Sequence, residues 1–410
     1  LNIKKMNLTK NQLLYYSGKL ISNLGTQLYY FVLSIYVLSV TGSALSYAFT
    51  LSLGIIITLI FGPVSAVICD KVNKKVIMVA ADFLNAFILF LFFILSVISG
   101  EFTLYNVYIS VILINIIGTF FDTASESGKI EIADKSQMLE VNSACKVIDS
   151  FTRIISPILA AGIYTAAGIN SFLLIDGISF FISALFGIFI RFNSYQAENK
   201  EIHIVKDWME GIKYINRQDG IKAVIILFLA FNVIFSLEMS VLLPYLVLNY
   251  FVLSSSQYAV IETCTALGLL GGAFLINGLL KKAHIKKIIK KIIYCLIVIL
   301  ASFLLTVQLK HQINGILLVM ILSVGMFLYG NTVSCLEIPL QTLVQCKVEQ
   351  KFLARVLLTI ILCVKIFNPV VLIIGGYLLD VLSPAIIIVI GIILLSGVWL
   401  ALAKMKGEFE

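Results

Sequence analysis

Charge is what this sequence is short of. Only 13% of its 410 residues are Asp, Glu, Lys or Arg, against 60% hydrophobic, where soluble domains carry about 25% charged residues. The mean hydropathy is +1.04. That polar deficit leaves too little surface to face water on all sides and excludes a soluble globular fold. Histidine is scarce as well: His203, His284 and His311 are far apart and fall in expected loops, so no metal site is suggested. The seven cysteines (Cys69, Cys145, Cys264, Cys295, Cys335, Cys346, Cys363) form no CxxC pair and mostly sit in apolar runs. Buried free thiols are their expected state. No GxxxxGK[ST] stretch occurs, which rules out ATP hydrolysis by a P-loop. No His/Cys/carboxylate cluster or nucleophile motif argues for an enzyme, and the polar loops are too short for a catalytic domain.

What the chain has instead is apolar length. Twelve runs recur, at about 13–40, 44–69, 76–99, 104–126, 139–166, 170–191, 221–250, 256–280, 285–308, 313–336, 352–379 and 383–404, each near or above the roughly 20 residues needed to cross a bilayer. Strand-length alternation is absent, which argues against a transmembrane barrel. The first run lacks a small-residue cleavage site, so no removable signal peptide is read there. The expectation is an all-α membrane protein of twelve transmembrane helices.

Basic residues orient it. Of 30 Lys and Arg, only Lys310 falls in a connection that follows an odd-numbered run. Lys19, Lys146, Arg153 and Lys365 lie deep inside runs, and all the others fall in the opposite-face connections, in the run ends that adjoin them, or at the ends of the chain. By the positive-inside rule both termini are expected in the cytoplasm. The net charge of +8 then suits anionic lipid headgroups. Spread over short loops, it gives little support to nucleic-acid binding.

Residues 192–220 form the longest polar stretch, after six runs and before six more. Within it, Ile202, Val205, Trp208, Met209, Ile212 and Ile215 share one face at helical spacing, as an amphipathic helix at the membrane interface would. The expected division is a six-helix bundle over 1–191, a linker over 192–220 and a second bundle over 221–410. Offsetting the chain by 212 residues pairs Gly118 with Gly330, Lys135 with Lys347, Arg153 with Lys365 and Pro157 with Pro369. A repeat of six spans with both termini on one side implies halves related by an axis along the membrane normal.

Several polar residues stand out in the apolar runs. "GPVSAVICDKVNKK" joins the second and third runs, and its lysines serve topology by themselves. Asp70 does not, and at a helix C-terminus its charge is disfavoured by the dipole, so a partner is expected. Asn73 stands where a tight turn favours a left-handed residue. Asp149 and Arg153 are one turn apart near mid-span, either as a self-neutralised pair or as a proton or substrate site. Glu238 is the most isolated acid in an apolar span, either a protonated core residue or a proton-coupling group; Glu262 is a weaker candidate, and Asp176 reads as structural. Pro157 and Pro369 free backbone carbonyls and bend their helices.

"GPVSAVICDKVNKK" resembles the loop between helices 2 and 3 of the major facilitator superfamily. "ISNLG", "TGSAL", "RIISPILAAG", "FLLIDGISFFISA" and "EGIKYI" extend the likeness along the chain. The pattern is similar to the drug:proton antiporter branch that includes macrolide-efflux and enterobactin-exporter proteins. It departs at Ala66, Asn73 and Ser156, where the family pattern has Gly. The resemblance implies a cytoplasmic gate latch formed by Asp70, Lys71, Asn73, Lys74 and Lys75 with support from Asp82, and helix bending at Pro157. It places Asn23, Gln27, Tyr30, Asn232 and Tyr329 along a substrate cavity. It further implies a bacterial plasma-membrane monomer that exports a hydrophobic or amphipathic compound, macrolides first, in exchange for protons. Such a carrier needs no cofactor beyond the gradient and no ATPase partner. Uptake of a metabolite, lipid or siderophore by the same fold is the alternative, and a membrane-embedded enzyme or receptor stands last.

Overall fold

The computed structural model describes residues 9–132, 137–192, 209, 212–280, 285–310 and 312–404. Among them the long elements are all helices: α1 (Lys10–Thr41), α2 (Ala44–Lys71), α3 (Lys74–Ser99), α4 (Leu104–Gly128), α5 (Met138–Phe189), α6 (Asp219–Phe235), α7 (Ser255–Leu280), α8 (Ile285–Gln308), α9 (Gly315–Lys347), α10 (Gln350–Val381) and α11 (Pro384–Lys404). α6 runs on to Tyr250 through two π-helical stretches, Ser236–Leu242 and Leu246–Tyr250.

Among the described residues, eleven helical stretches are long and apolar enough to cross a membrane. One of them, α5, is 52 residues long, about 78 Å at 1.5 Å per residue and more than twice a bilayer's hydrocarbon thickness. Its continuity is interrupted at Gly168, where φ is 72° and ψ −178°, a conformation open essentially to glycine alone. Two helices therefore meet there. Large apolar side chains point outward along the spans: Ile98, Tyr105 and Phe274 are each nearly four-fifths exposed, as expected of surfaces whose solvent is hydrocarbon.

Short polar signals set the helix ends. Thr9 and Gln12 cap each other at the start of α1, and Ser254 with Gln257 repeats this capping box before α7. Asn73 caps α3 by accepting from Lys75 N at 2.9 Å, with φ −56°. The left-handed turn expected at Asn73 is thus corrected: the residue stays extended because its side chain is used as an N-cap. Gly42 (φ 63°) and Gly100 (φ 79°) supply the left-handed conformations that end α1 and α3.

The chain divides into two compact units, Leu1–Tyr36 with Ile56–Glu201, and Val37–Ile55 with Ile202–Glu410. Residues 37–55 group with the second unit, not with the first as a cut at 191 would have it. Asp380, near the end of α10, accepts from Ser43 Oγ at 2.6 Å, Ala44 N at 2.7 Å and Leu45 N at 3.2 Å. A carboxylate there satisfies free N–H groups and meets the positive end of the α2 dipole.

In the first unit, Tyr15, Met78, Phe121, Val141 and Ile190 are buried in one core. In the second, α7 and α9 pack with almost no side chain between them: a Cβ at Gly268, Gly272 or Gly330 would run into the facing backbone, the close approach that small residues permit between membrane helices. Of the amphipathic stretch expected in the linker, Ile202, Val205 and Trp208 lie outside the described residues; 212–216 are helical and Ile215 is buried. The three histidines also lie outside them. Cys69, Cys145 and Cys335 are buried free thiols, but Cys295 is exposed.

Candidate functional site: a charged pocket and a buried glutamate

Three polar stripes meet in the first unit. α1 contributes Asn23, Gln27 and Tyr30, α4 contributes Asn115, Thr119 and Asp122, and α5 contributes Lys146, Asp149 and Arg153. Each set follows helical spacing, so each lies on one face. They line a pocket of about 380 Å³, with Asn85 of α3 at its wall. Tyr30 donates to Asn115 Oδ1 at 2.7 Å. Asn85 is buried and its Oδ1 has no hydrogen-bond partner among the described residues.

Behind this wall runs a chain of alternating charges. Lys129 Nζ is 2.5 Å from Glu126 Oε2, and Lys19 Nζ is 3.3 Å from Glu126 Oε1 and 3.8 Å from Asp149 Oδ1. Asn23 donates to Asp149 Oδ1 at 2.8 Å. Of the two readings of Asp149 and Arg153, the self-neutralised pair is not the one formed: Asp149 turns to Lys19 and Asn23. A cross-helix cation set at 5% exposure competes well with an exposed arginine one turn away, because the interaction gains strength out of water. Asp149 lies about 17 Å along α5 from Met138 and Arg153 about 23 Å. At such depth an unpaired charge costs about 2.5–3.5 kcal/mol even on the lenient insertion scale.

The loop after α2 is organised differently from a cluster. Asp70 and Lys71 are exposed. Lys74 is buried against Glu131 at 2.5 Å, and Lys75 donates to Ile188 O at 2.6 Å. Asp82 does not join them. It lies about 12 Å further along α3, 3% exposed, accepting from Ser22 Oγ at 2.9 Å and 2.6 Å from Ser183 Oγ.

In the second unit Glu238 occupies the first π-helical stretch and is 2% exposed. Tyr329 Oη lies 3.4 Å from its Oε2, while Oε1 has no hydrogen-bond partner among the described residues. A Cβ on Gly391 would overlap that oxygen. Tyr329, expected along a cavity, is 1% exposed and serves as the glutamate's neighbour, so its role as a liner is corrected. Asn232 and Lys365 line a separate pocket of about 320 Å³, otherwise largely aliphatic. Pro157 lies within α5 and Pro369 within α10. Sequence spacing missed Lys19, Asn115, Asp122, Glu126 and Glu131; for the first four the signal was charge or amide inside apolar runs, while Glu131 lies in the connection after the fourth run.

Long apolar helices around a polar pocket define a multi-pass membrane protein. A profile of the Major Facilitator Superfamily matches residues 15–357, and the chain belongs to that family, which is not a class of enzymes. Macrolide efflux protein A of Streptococcus pyogenes is 23% identical over 265 residues, covering 64% of this chain; the chain spans 65% of that relative's length. Among solved structures, the nucleoside transporter NupG aligns with a TM-score of 0.76 at 12% identity, over 97% of this chain and all of NupG. A bacterial homologue of the iron transporter ferroportin in an inward-facing state aligns with a TM-score of 0.76 at 14% identity, over 98% of this chain and all of that one. At those identities the likeness is one of fold.

Proposed function

We propose that this chain is a secondary active transporter that exports a hydrophobic or amphipathic small molecule in exchange for protons by alternating access. The observation that carries the reading is the first unit's pocket, where charged and amide side chains from several spans converge inside an otherwise apolar protein. Polar groups cost free energy in hydrocarbon, and those kept there pair with one another or mark the path of a solute or ion. Splitting α5 at Gly168 yields twelve spans in two six-helix bundles and puts both termini on one side, the cytoplasmic side by the lysine and arginine bias. Macrolides are the first substrates to test because relatives bear that name.

Glu238 is the assigned proton carrier. It is buried, one of its oxygens has no partner among the described residues, and π-helical turns frequently mark functional positions. Asp149, held by Lys19 and Asn23, responds to substrate through those two partners. Asp70, Lys71, Lys74 and Lys75 form the loop that latches one access state, with Asp70 exposed and free to find a partner there.

The test is accumulation of a macrolide in drug-hypersensitive cells, with and without a protonophore. The wild-type chain lowers accumulation and the protonophore restores it. Glu238→Gln abolishes the difference, and Asp70→Asn reduces it. Unchanged accumulation across macrolides, dyes and other amphiphiles would sink the export reading. Export that survives the protonophore and Glu238→Gln alike would sink the proton assignment.

A further inference from the structure

We infer that the first unit's pocket recognises an anionic group on the substrate, a carboxylate or phosphate, through Arg153 and Lys146. The inference rests on the chain being a small-molecule carrier, adds the chemistry of the cargo's polar end, and favours amphipathic acids over macrolides, whose amines are protonated.

The pocket's acids are already engaged. Asp149 is held by Lys19 and Asn23, and Asp122 has a partner of its own. Its bases are not. Arg153 and Lys146 line the pocket, and neither makes an ion pair with any described residue. The pocket wall and the charge chain behind it hold four basic side chains, Lys19, Lys129, Lys146 and Arg153, against three acidic ones, Glu126, Asp149 and Asp122. One positive charge is left over, and the exposed Lys146 and Arg153 present it to the pocket. A single anion entering the pocket balances that charge, whereas a cationic group is repelled by it.

The two free bases are spaced to grip it. Seven residues apart on α5, they lie on one face about 10.5 Å apart along the axis. The guanidinium of Arg153 presents a planar fork suited to two oxygens of a carboxylate or phosphate. Gln27 faces the same space with no hydrogen bond to a described residue, so an amide donor is at hand. The second unit carries an independent instance. Lys365, which the repeat matches to Arg153, is the charged residue among those that line its pocket and likewise makes no ion pair with a described residue.

A matched ligand set isolates the charge: 1-naphthylacetate, 1-naphthylacetamide and 1-naphthylmethylamine share a ring and differ in the polar end. Binding to the full chain is measured by equilibrium dialysis in nanodiscs of phosphatidylcholine alone, then with phosphatidylglycerol added. The acetate is expected to bind about tenfold tighter than the amide, a modest charge-assisted gain, and the amine more weakly than either. Arg153→Gln and Lys146→Gln each erase the acetate's advantage while amide binding holds, which also shows that the variants fold. Arg153→Lys restores part of it. Competition by phosphatidylglycerol assigns the anion site to a lipid headgroup as well as a solute, and its absence assigns it to solutes. Equal affinity for all three ligands, or an acetate advantage that survives the double substitution Lys146→Gln with Arg153→Gln, overturns the inference. Loss of the carrier reading looks different: no export from cells, with the acetate preference intact.

Discussion

Asp82 shows how much one hydrogen-bond count says. Ser183 Oγ lies 2.6 Å from Asp82 Oδ2 and 3.0 Å from Gly18 O, yet a hydroxyl has one proton to give. An Asp82 that carries a proton donates to Ser183, which donates to Gly18 O, while Ser22 donates to the other carboxyl oxygen. Every group is then satisfied without a buried charge. Asn at this position supplies an N–H in place of the acid's O–H, whereas Ala leaves the Ser22 hydroxyl with nothing to meet. Asp82→Asn is therefore expected to keep the thermal midpoint in detergent close to wild type. Asp82→Ala should lower stability by about 1–3 kcal/mol, the cost of an unmet buried polar group. Equal loss in both variants would mean that the carboxylate's charge is what α1 and α3 require.

At the scale of elements, glycine divides into three kinds. Gly272 of α7 lies so close to α9 that a Cβ would overlap Asn331 O, and Gly268 stands against Phe327 O in the same way. Gly397 of α11 has nothing within 4 Å of an added Cβ. Both are helical, so alanine gains about 0.5–1 kcal/mol of backbone propensity in each case. Only at Gly272 must two backbones separate, an overpacking cost of about 1–3 kcal/mol. Thermal denaturation should find Gly397→Ala neutral or slightly stabilising and Gly272→Ala destabilising. Parallel behaviour of the two would show that the α7–α9 contact yields without cost. Gly168 is a third case, since its φ of 72° with ψ near −178° breaks α5 by conformation and needs no neighbour.

For the whole molecule, that break decides the topology. Eleven spans would put the termini on opposite sides of the membrane; twelve put them on the same side. A periplasmic-type alkaline phosphatase fused after residue 168 is expected to be active, and a fluorescent protein fused at the end of the chain to fold and fluoresce. An inactive phosphatase at 168 would restore α5 to a single span and reverse the orientation of everything after it. The placement of Lys310 alone beyond an odd-numbered run supports the twelve-span arrangement, because one misplaced lysine is tolerated where several are not.

The sequence by itself determined the solvent. Sixty per cent hydrophobic residues in runs of bilayer length leave the chain nowhere but a membrane, and runs without strand-length alternation satisfy their backbone hydrogen bonds there as helices. Asn23, Gln27 and Tyr30 were expected along a cavity from the family resemblance, and they line the first unit's pocket. Tertiary structure alone decided the partners. Lys19 meets Asp149 across 130 residues of chain, Asp380 caps a helix that begins 336 residues earlier, and Tyr329 withdraws from the cavity to sit beside Glu238. No spacing rule reaches such pairs. A charge in an apolar span announces that it needs a neighbour, but which neighbour it finds depends on how the helices pack.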